Sequence, residues 1–266
     1  MAGAYLHENK RKERLIHLGS MLILAVLMFF YFKHLNLKPV LTKDNIRFLL
    51  LGMPDQIGGL ALTILMTVIL IPVTLVWGAV LAVMRNSKFF KWFATVYIEI
   101  VRATPLIMVI FWVYFAIPIF VKSVTGEDIS VQPVIAALIA FSIFTSAYIA
   151  EIVRSGLNSI SKGIKEAGES LGFTKFQIYF YIIMPLVIKR MLPALISQYI
   201  AMFKDTSLAY IIGVIEFFRA ATILNNRLFL SMEIFTIVAI VYFIIAFTMS
   251  RFARYLEVKW RKQLSD

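Results

Sequence analysis

A guanidinium in apolar surroundings can grip a carboxylate through two parallel hydrogen bonds. Arg102 stands in such a setting, in the run Tyr97-Ile98-Glu99-Ile100-Val101-Arg102-Ala103-Thr104-Pro105-Leu106. Pro105, after Thr104, frees a backbone carbonyl and can kink the helix that carries it. The competing reading of Arg102 is an ion pair with Glu99 or Glu151. Tyr148 and Glu151 lie a helical turn or less apart on another apolar stretch, so both can line one path. A second polar group, Lys204-Asp205-Thr206-Ser207, falls where one apolar run ends and a shorter one begins. An interruption of that kind presents free backbone groups and helix ends to a cavity, where Asp205 suits an ammonium and Lys204 a carboxylate. The alternative is that Thr206 or Ser207 caps the following helix. This is chemistry of binding. The chain has no cysteine, and His7, His17 and His34 show no metal-ligand spacing.

A different kind of site occupies Ser161-Lys162-Gly163-Ile164-Lys165-Glu166-Ala167-Gly168-Glu169-Ser170-Leu171-Gly172-Phe173. Ile160, Ile164, Ala167 and Leu171 recur at helical spacing on one face, with charges opposite. Ala167, Gly168 and Gly172 keep that face nearly flat and permit close approach by another surface. Two readings stand: docking into a groove on a soluble partner, or lying on lipid headgroups.

The elements that position these residues are apolar helices. Of 266 residues, 61% are hydrophobic and 16% charged, more apolar than a soluble domain of this length can bury. Six stretches, Leu15–Phe32, Ile57–Met84, Tyr97–Val121, Val131–Val153, Tyr179–Phe203 and Met232–Phe252, are each long enough to cross about 30 Å of hydrocarbon at about 1.5 Å per residue. Thr206–Phe218 is too short to cross and contains Gly213, so it reads as a re-entrant segment covered by protein. Leu15–Phe32 has a basic n-region like a signal peptide, but its length and the absence of a small-residue cleavage site favour a retained helix.

The net charge of +12 invites a nucleic-acid reading, but the basic residues sit between apolar stretches, and topology accounts for them. Lys10, Arg11, Lys12, Arg14, Arg85, Lys88, Lys91, Arg154, Lys162, Lys165, Lys175, Arg251, Arg254, Lys259, Arg261 and Lys262 fall on one side. The positive-inside rule makes that side the cytoplasm and places both termini there. Ionisable residues within spans are costly. Glu99, Arg102, Glu151, Lys189 and Arg190 also fit a snorkelling position near the cytoplasmic interface, and Trp92 and Trp260 suit that interface.

Glu166-Ala167-Gly168, followed by Gly172, Ile182 and Met184-Pro185, resembles the cytoplasmic EAA loop of ABC importer permeases. Gly168 replaces the family's second alanine and Met184 a leucine. Gly59-Leu60-Ala61-Leu62-Thr63, the Arg102-Ala103-Thr104-Pro105-Leu106 segment, Ser146–Arg154 and Phe203–Leu208 are similar to polar amino-acid permeases. Leu75–Arg85 and Glu216-Phe217-Phe218-Arg219 look most like glutamate/aspartate permeases.

The resemblance implies an all-α fold: a five-helix type I permease core with one extra N-terminal transmembrane helix. It implies residues 1–56 as basic tail, extra helix and periplasmic connection, 57–256 as transmembrane domain with a coupling loop near 155–178, and 257–266 as cytoplasmic tail. It implies a substrate path near Arg102, Thr104, Tyr148, Glu151, Lys204, Asp205, Thr206 and Ser207 for an amino acid. Glu166, Ala167, Gly168, Leu171, Gly172 and Pro185 would carry ATPase coupling. Expected partners are an ATP-binding subunit dimer, a second permease subunit (identical or paralogous), and a periplasmic or lipid-anchored binding protein, with no nucleic acid. The expected location is a bacterial inner membrane.

The sequence contains no Gly-x-x-x-x-Gly-Lys-Ser/Thr phosphate loop, so ATP and magnesium are expected on the partner and no cofactor on this chain. Two rival classes make different demands. An ion-coupled secondary transporter predicts inverted repeats and transport without ATP. A structural or sensory membrane protein predicts charges only at span ends or facing lipid.

Overall fold

The computed structural model describes residues 28–265 together with Ser20 and Val26, with side chains described as far as Lys259. Of the expected first span Leu15–Phe32, most lies outside the described residues; Ser20, Val26 and residues 28–34 are helical. The labelled helices begin with α1 (Lys43–Leu51), which Thr42 caps by accepting from the Asn45 N–H. A two-residue antiparallel pair follows, Gly52 opposite Ile57 and Met53 opposite Gln56. Then come α2 (Gly59–Asn86), α3 (Lys91–Ala103), α4 (Leu106–Thr125), α5 (Pro133–Asn158), α6 (Lys162–Ser170), α7 (Lys175–Ile212), α8 (Phe217–Leu228) and α9 (Ser231–Ser265). Five of these, α2, α4, α5, α7 and α9, are long and apolar enough to cross a membrane.

The expected span Tyr97–Val121 is two helices. Thr104 is forced out of the helical region by the ring of Pro105 and adopts φ −96°, ψ 136°, so α3 stops at Ala103 and α4 starts at Leu106. Hydropathy bridges the break because the residues on both sides are apolar.

The core rests on α2 packed along α5. Ala136, Ala137, Ala140, Ala147 and Ala150 are fully buried on one side of α5, which lets backbones approach closely. At the tightest point a Cβ added to Gly78 would lie 2.6 Å from Ile149 Cβ and 3.0 Å from the Ser146 carbonyl oxygen. Buried threonines on α2 satisfy themselves within the helix: Thr67 donates to Thr63 O at 2.8 Å and Thr74 to Leu70 O at 2.7 Å. Near Pro72, Tyr199 of α7 donates to Ile71 O at 3.2 Å, tying the two helices near the middle of α2.

A second cluster joins Leu49 of α1, Phe217, Ala220 and Leu224 of α8, and Ile234 and Val238 of α9. A third, Ile160, Ile178, Ile183 and Val187, lies beneath α6. α7 is not uniform. Its segment Ile178–Ile183 is π-helical, immediately before Pro185, which has no N–H to give Tyr181. The Met184 N–H reaches back to Tyr179 O instead.

The expected re-entrant piece Thr206–Phe218 is also more divided than hydropathy implied. Thr206–Ile212 continues α7 as a 3-10 run, Gly213 turns the chain at φ +91°, and α8 begins at Phe217. Only glycine adopts that conformation cheaply.

Candidate functional site

Arg102, Tyr148 and Glu151 meet at the end of the bundle that carries α6. Glu151 is the hub. Its Oε1 accepts from Arg85 Nη1, its Oε2 from Arg154 Nη2 at 2.8 Å, and Arg102 Nη1 stands 3.9 Å from Oε2. Arg85 also faces Glu99 at 3.7 Å. Three arginines therefore surround two carboxylates. Glu151 and Arg85 expose only 18% and 20% of their side chains, Arg102 exposes 42%.

This arrangement refines the two readings of Arg102. The ion pair with Glu151 exists but at its outer limit, because Arg85 and Arg154 hold the carboxylate oxygens at shorter range. Among the described residues the Arg102 guanidinium donates no hydrogen bond. Its face rests over the Tyr148 ring, 5.3 Å from the centroid, a contact that fixes orientation and leaves the donor edge open. Thr104 Oγ1 donates to Ile100 O at 2.8 Å and so serves the frayed end of α3. Beside the cluster, Glu151, Arg154, Ser155, Ser159 and Arg190 line a cavity of about 370 Å³. Arg190 closes the end of α5 by donating to Ser159 O, where a cation complements the helix dipole.

Lys204, Asp205, Thr206 and Ser207 do not join this cluster. Tyr199 touches the middle of α2, so the four residues beyond it lie toward the opposite end. The capping role considered for Thr206 or Ser207 is not what they do. Their hydroxyls turn backward, Thr206 to Phe203 O at 2.6 Å and Ser207 to Lys204 O at 2.8 Å. Thr206 is fully buried and presents no surface of its own. Lys204 and Ser207 line a cavity of about 460 Å³ with Phe218, Phe235, Val238 and Tyr242. Asp205 is half-buried, and among the described residues its carboxylate has no ion pair or hydrogen bond.

The cap belongs to Glu216, which the sequence marks only as the first residue of the run resembling glutamate/aspartate permeases and not as an N-cap, a role for which glutamate is a poor residue. It is fully buried, bridges by its backbone to Gly59 of α2, and accepts from Phe218 N at 2.8 Å and Arg219 N at 2.7 Å. Tyr242 donates to it at 3.4 Å, and the neighbouring Phe217 N donates to Thr63 Oγ1 of α2 at 3.0 Å. Burial pushes the Glu216 carboxyl up to about 7, against the lowering effect of the hydrogen bonds it accepts. Arg85 was missed as well; the sequence reads it only as one of the basic loop residues.

The docking segment folds as the amphipathic helix α6, and its parts separate. Glu166, Ala167 and Leu171 are exposed, Leu171 at 75%. Gly168 is buried: a Cβ there would lie 2.9 Å from Ile178 Cγ1. Its small size serves packing against α7 within this chain, where the sequence suggested an opening for a partner. Gly172, at φ +78°, ends the helix with Phe173 N donating to Gly168 O at 3.1 Å and Gly172 N to Glu169 O at 3.0 Å. That is a Schellman closure, which requires a left-handed residue. Pro185 is exposed just beyond the π-helical turn.

Five helices fit to cross a membrane, with an exposed amphipathic helix between two of them and a polar cluster at the same end of the bundle, have the architecture of a membrane transport subunit. Residues 74–262 match the family described as "Binding-protein-dependent transport system inner membrane component". The chain belongs to that family, as an amino-acid ABC transporter permease. It is 38% identical over 212 residues to the glutamate/aspartate import permease protein GltK of Escherichia coli O6:H1, covering 77% of this chain and 93% of that protein. Against the glutamine transport system permease protein GlnP of Escherichia coli K12 the identity is 36% over 210 residues, with 77% and 93% covered. Among solved structures, an amino acid ABC transporter crystallised with histidines superposes with a TM-score of 0.68 at 30% identity, covering 76% of this chain and 92% of that one. The MetNI methionine ABC transporter shares the fold, with a TM-score of 0.57 at 19% identity over 81% of this chain and 99% of that one.

Proposed function

We propose that this chain is the permease of an ATP-driven importer for glutamate or aspartate. The carrying observation is Arg102, whose guanidinium is oriented by Tyr148 yet keeps its donors free. It suits a substrate carboxylate, while Asp205, half-buried and, among the described residues, with no ion pair or hydrogen bond to its carboxylate, suits the ammonium. The similarity to GltK supports an acidic substrate. Glutamine is the second reading, favoured by the nearly equal identity to GlnP and by the α-carboxylate and ammonium it shares with glutamate.

In this reading the subunit sits in a bacterial inner membrane with both termini in the cytoplasm, and residues 15–32 add a sixth span. Two permeases, identical or paralogous, enclose the path. A substrate-binding protein delivers the amino acid from the outer side. An ATP-binding dimer docks on α6, where Glu166, Ala167 and Leu171 are exposed. Gly168 and Gly172 shape that helix, and Pro185 marks the π-helical turn it rests beside.

Substrate passes Arg102, Tyr148 and Glu151 at one end and Lys204, Asp205 and Ser207 toward the other. Thr104 and Thr206 hold backbone in place there. The test is uptake into vesicles reconstituted with the ATPase and binding protein, with glutamate, aspartate, glutamine and arginine in competition. Glutamate and aspartate should each suppress uptake of labelled glutamate, and arginine should not. Glutamine as the strongest competitor would replace the acidic assignment by the second reading.

A further inference from the structure

The cavity of about 370 Å³ between the last turns of α5 and the middle of α7 lies at the end of the bundle that carries α6. Its volume falls in the range of roughly 300–1,000 Å³ that small-molecule sites occupy. Of its polar residues only Glu151 belongs to the proposed substrate path. Gly156 and Met191 close one side, where a Cβ added to the glycine would lie 3.2 Å from Met191 Cβ.

The charges in this cavity and the cluster beside it do not balance. Arg85, Arg102, Arg154 and Arg190 bring four guanidinium groups against the two carboxylates of Glu99 and Glu151. With Arg102 given to the path, Arg190 still has no carboxylate partner among the described residues. Its Nη1 donates to Ser159 O and, at 3.1 Å, to Ser159 Oγ, while its Nη2 and Nε make no hydrogen bond among the described residues. Arg154 gives Nε and Nη2 to Glu151 and likewise leaves Nη1 unused. The opposite sign stands beside these donors. α5 ends here with no basic residue in its last turn, so its carbonyl end presents the negative pole of the helix dipole, met by one nitrogen of Arg190. Ile152, Met191 and Ala194 supply an apolar wall.

A ligand that answers all three features has excess negative charge, a positive group and a short apolar body. An acidic amino acid has them: two carboxylates, one ammonium and a methylene chain. Phosphate lacks the positive group, glutamine lacks the second carboxylate, and a basic amino acid adds charge to a cavity already positive. We propose that this cavity is a second binding site, beside the path, for a free acidic amino acid on the inner side of the membrane. Arg190 and Arg154 hold its carboxylates, and its ammonium points to the carbonyl end of α5. The site rests on the reading of the α6 end as the inner side. Arg190 also ties Ser159, just before α6 begins at Lys162, so occupancy bears on the helix that docks the ATPase.

The test is binding of labelled glutamate to the full chain in phosphatidylcholine nanodiscs, with Arg102→Ala removing the grip of the path. Glutamate should still bind. Arg190→Gln should weaken it about 10- to 100-fold, the loss of a charged hydrogen bond. Because Arg190 also holds Ser159, Ala194→Phe is the second variant: it fills the cavity, removes no hydrogen bond, and should abolish binding with Tm unchanged. Aspartate should compete, glutamine more weakly, and arginine and inorganic phosphate not at all. No binding to the Arg102→Ala chain, binding that survives Ala194→Phe, or displacement by phosphate would overturn the site. So would loss of glutamate binding when phosphatidylglycerol or phosphatidylethanolamine enters the nanodiscs, since a lipid headgroup would then be the occupant. The side is read separately, because the chain has no cysteine. Lys162→Cys should react with a membrane-impermeant maleimide only after cells are opened, and labelling of intact cells would overturn the inner placement. Glutamate uptake without binding here removes the site alone, whereas binding here with glutamine as the preferred cargo removes only the acidic assignment.

Discussion

Arg85 and Arg102 both face Glu151, yet the structure assigns them different work, and replacing each by alanine separates stability from transport. Losing one partner of a fully buried ion pair costs about 3–5 kcal/mol, whereas an exposed pair contributes about 0.2–1 kcal/mol. The Arg85–Glu151 pair, with a fifth of each side chain exposed, is nearer the buried limit. Discounted for that exposure and for the remaining bond from Arg154, Arg85→Ala should cost about 2–3 kcal/mol, or about 4–12 °C in Tm for a chain of this size.

Arg102, 42% exposed and 3.9 Å from the carboxylate, contributes about 1 kcal/mol through its outer pair and the Tyr148 ring together. In transport the order reverses. A lost charged hydrogen bond of about 1.5–3 kcal/mol corresponds to roughly a 10- to 100-fold fall in kcat/KM for uptake. Tryptophan fluorescence melts in detergent give the first quantity, and vesicle uptake the second. Equal Tm losses in the two variants, or parental uptake by Arg102→Ala, would refute the reasoning.

Glu166→Lys should reduce ATPase co-purification and uncouple hydrolysis from uptake, and Leu171→Asp should do the same with Tm unchanged; undiminished co-purification in both removes the docking role from α6. Gly78→Ala should cost about 1–3 kcal/mol through overpacking against Ile149, read as a lower Tm, with Ile149→Ala recovering part of it in the double variant. Because the folded-state pKa of Glu216, about 7, lies above its ordinary value of 4.5, folding takes up a proton between them. Its contribution is fully present below about pH 4.5 and is lost as pH rises toward 7. Glu216→Gln should therefore flatten the Tm profile between pH 5 and 8; an unchanged slope would place the titration elsewhere.

The core spans were legible because hydropathy and length alone define them, and the ends of α2 and α5 fall within a few residues of the apolar stretches. What periodicity could not reveal were interruptions made by single residues. The break at Thr104 follows from Pro105 but lies inside an unbroken apolar run. The π-helical turn at Ile178–Ile183 has no compositional mark beyond the proline after it. In the coupling segment the spacing found the helix but not its orientation. The spacing reads Gly168 as opening a face to a partner, whereas the space beside it is filled by Ile178 of the same chain. The site was legible in part: Arg102, Tyr148 and Glu151 converge, but Arg85 joins them only in three dimensions.

The close seating of Gly78 on Ile149 has a mechanical consequence. Helices that approach until a single Cβ has no room cannot slide or roll against each other without rising out of contact. α2 and α5 thus behave as a keel. The departures from α-helical bonding lie elsewhere: the gap at Thr104–Pro105, the π-helical turns at Trp112–Ala116 and Ile178–Ile183, and the 3-10 run Thr206–Ile212. All of them belong to the approach to α4, to α4 itself and to α7, the two jointed limbs hung on that keel. α6 bears directly on one of those joints.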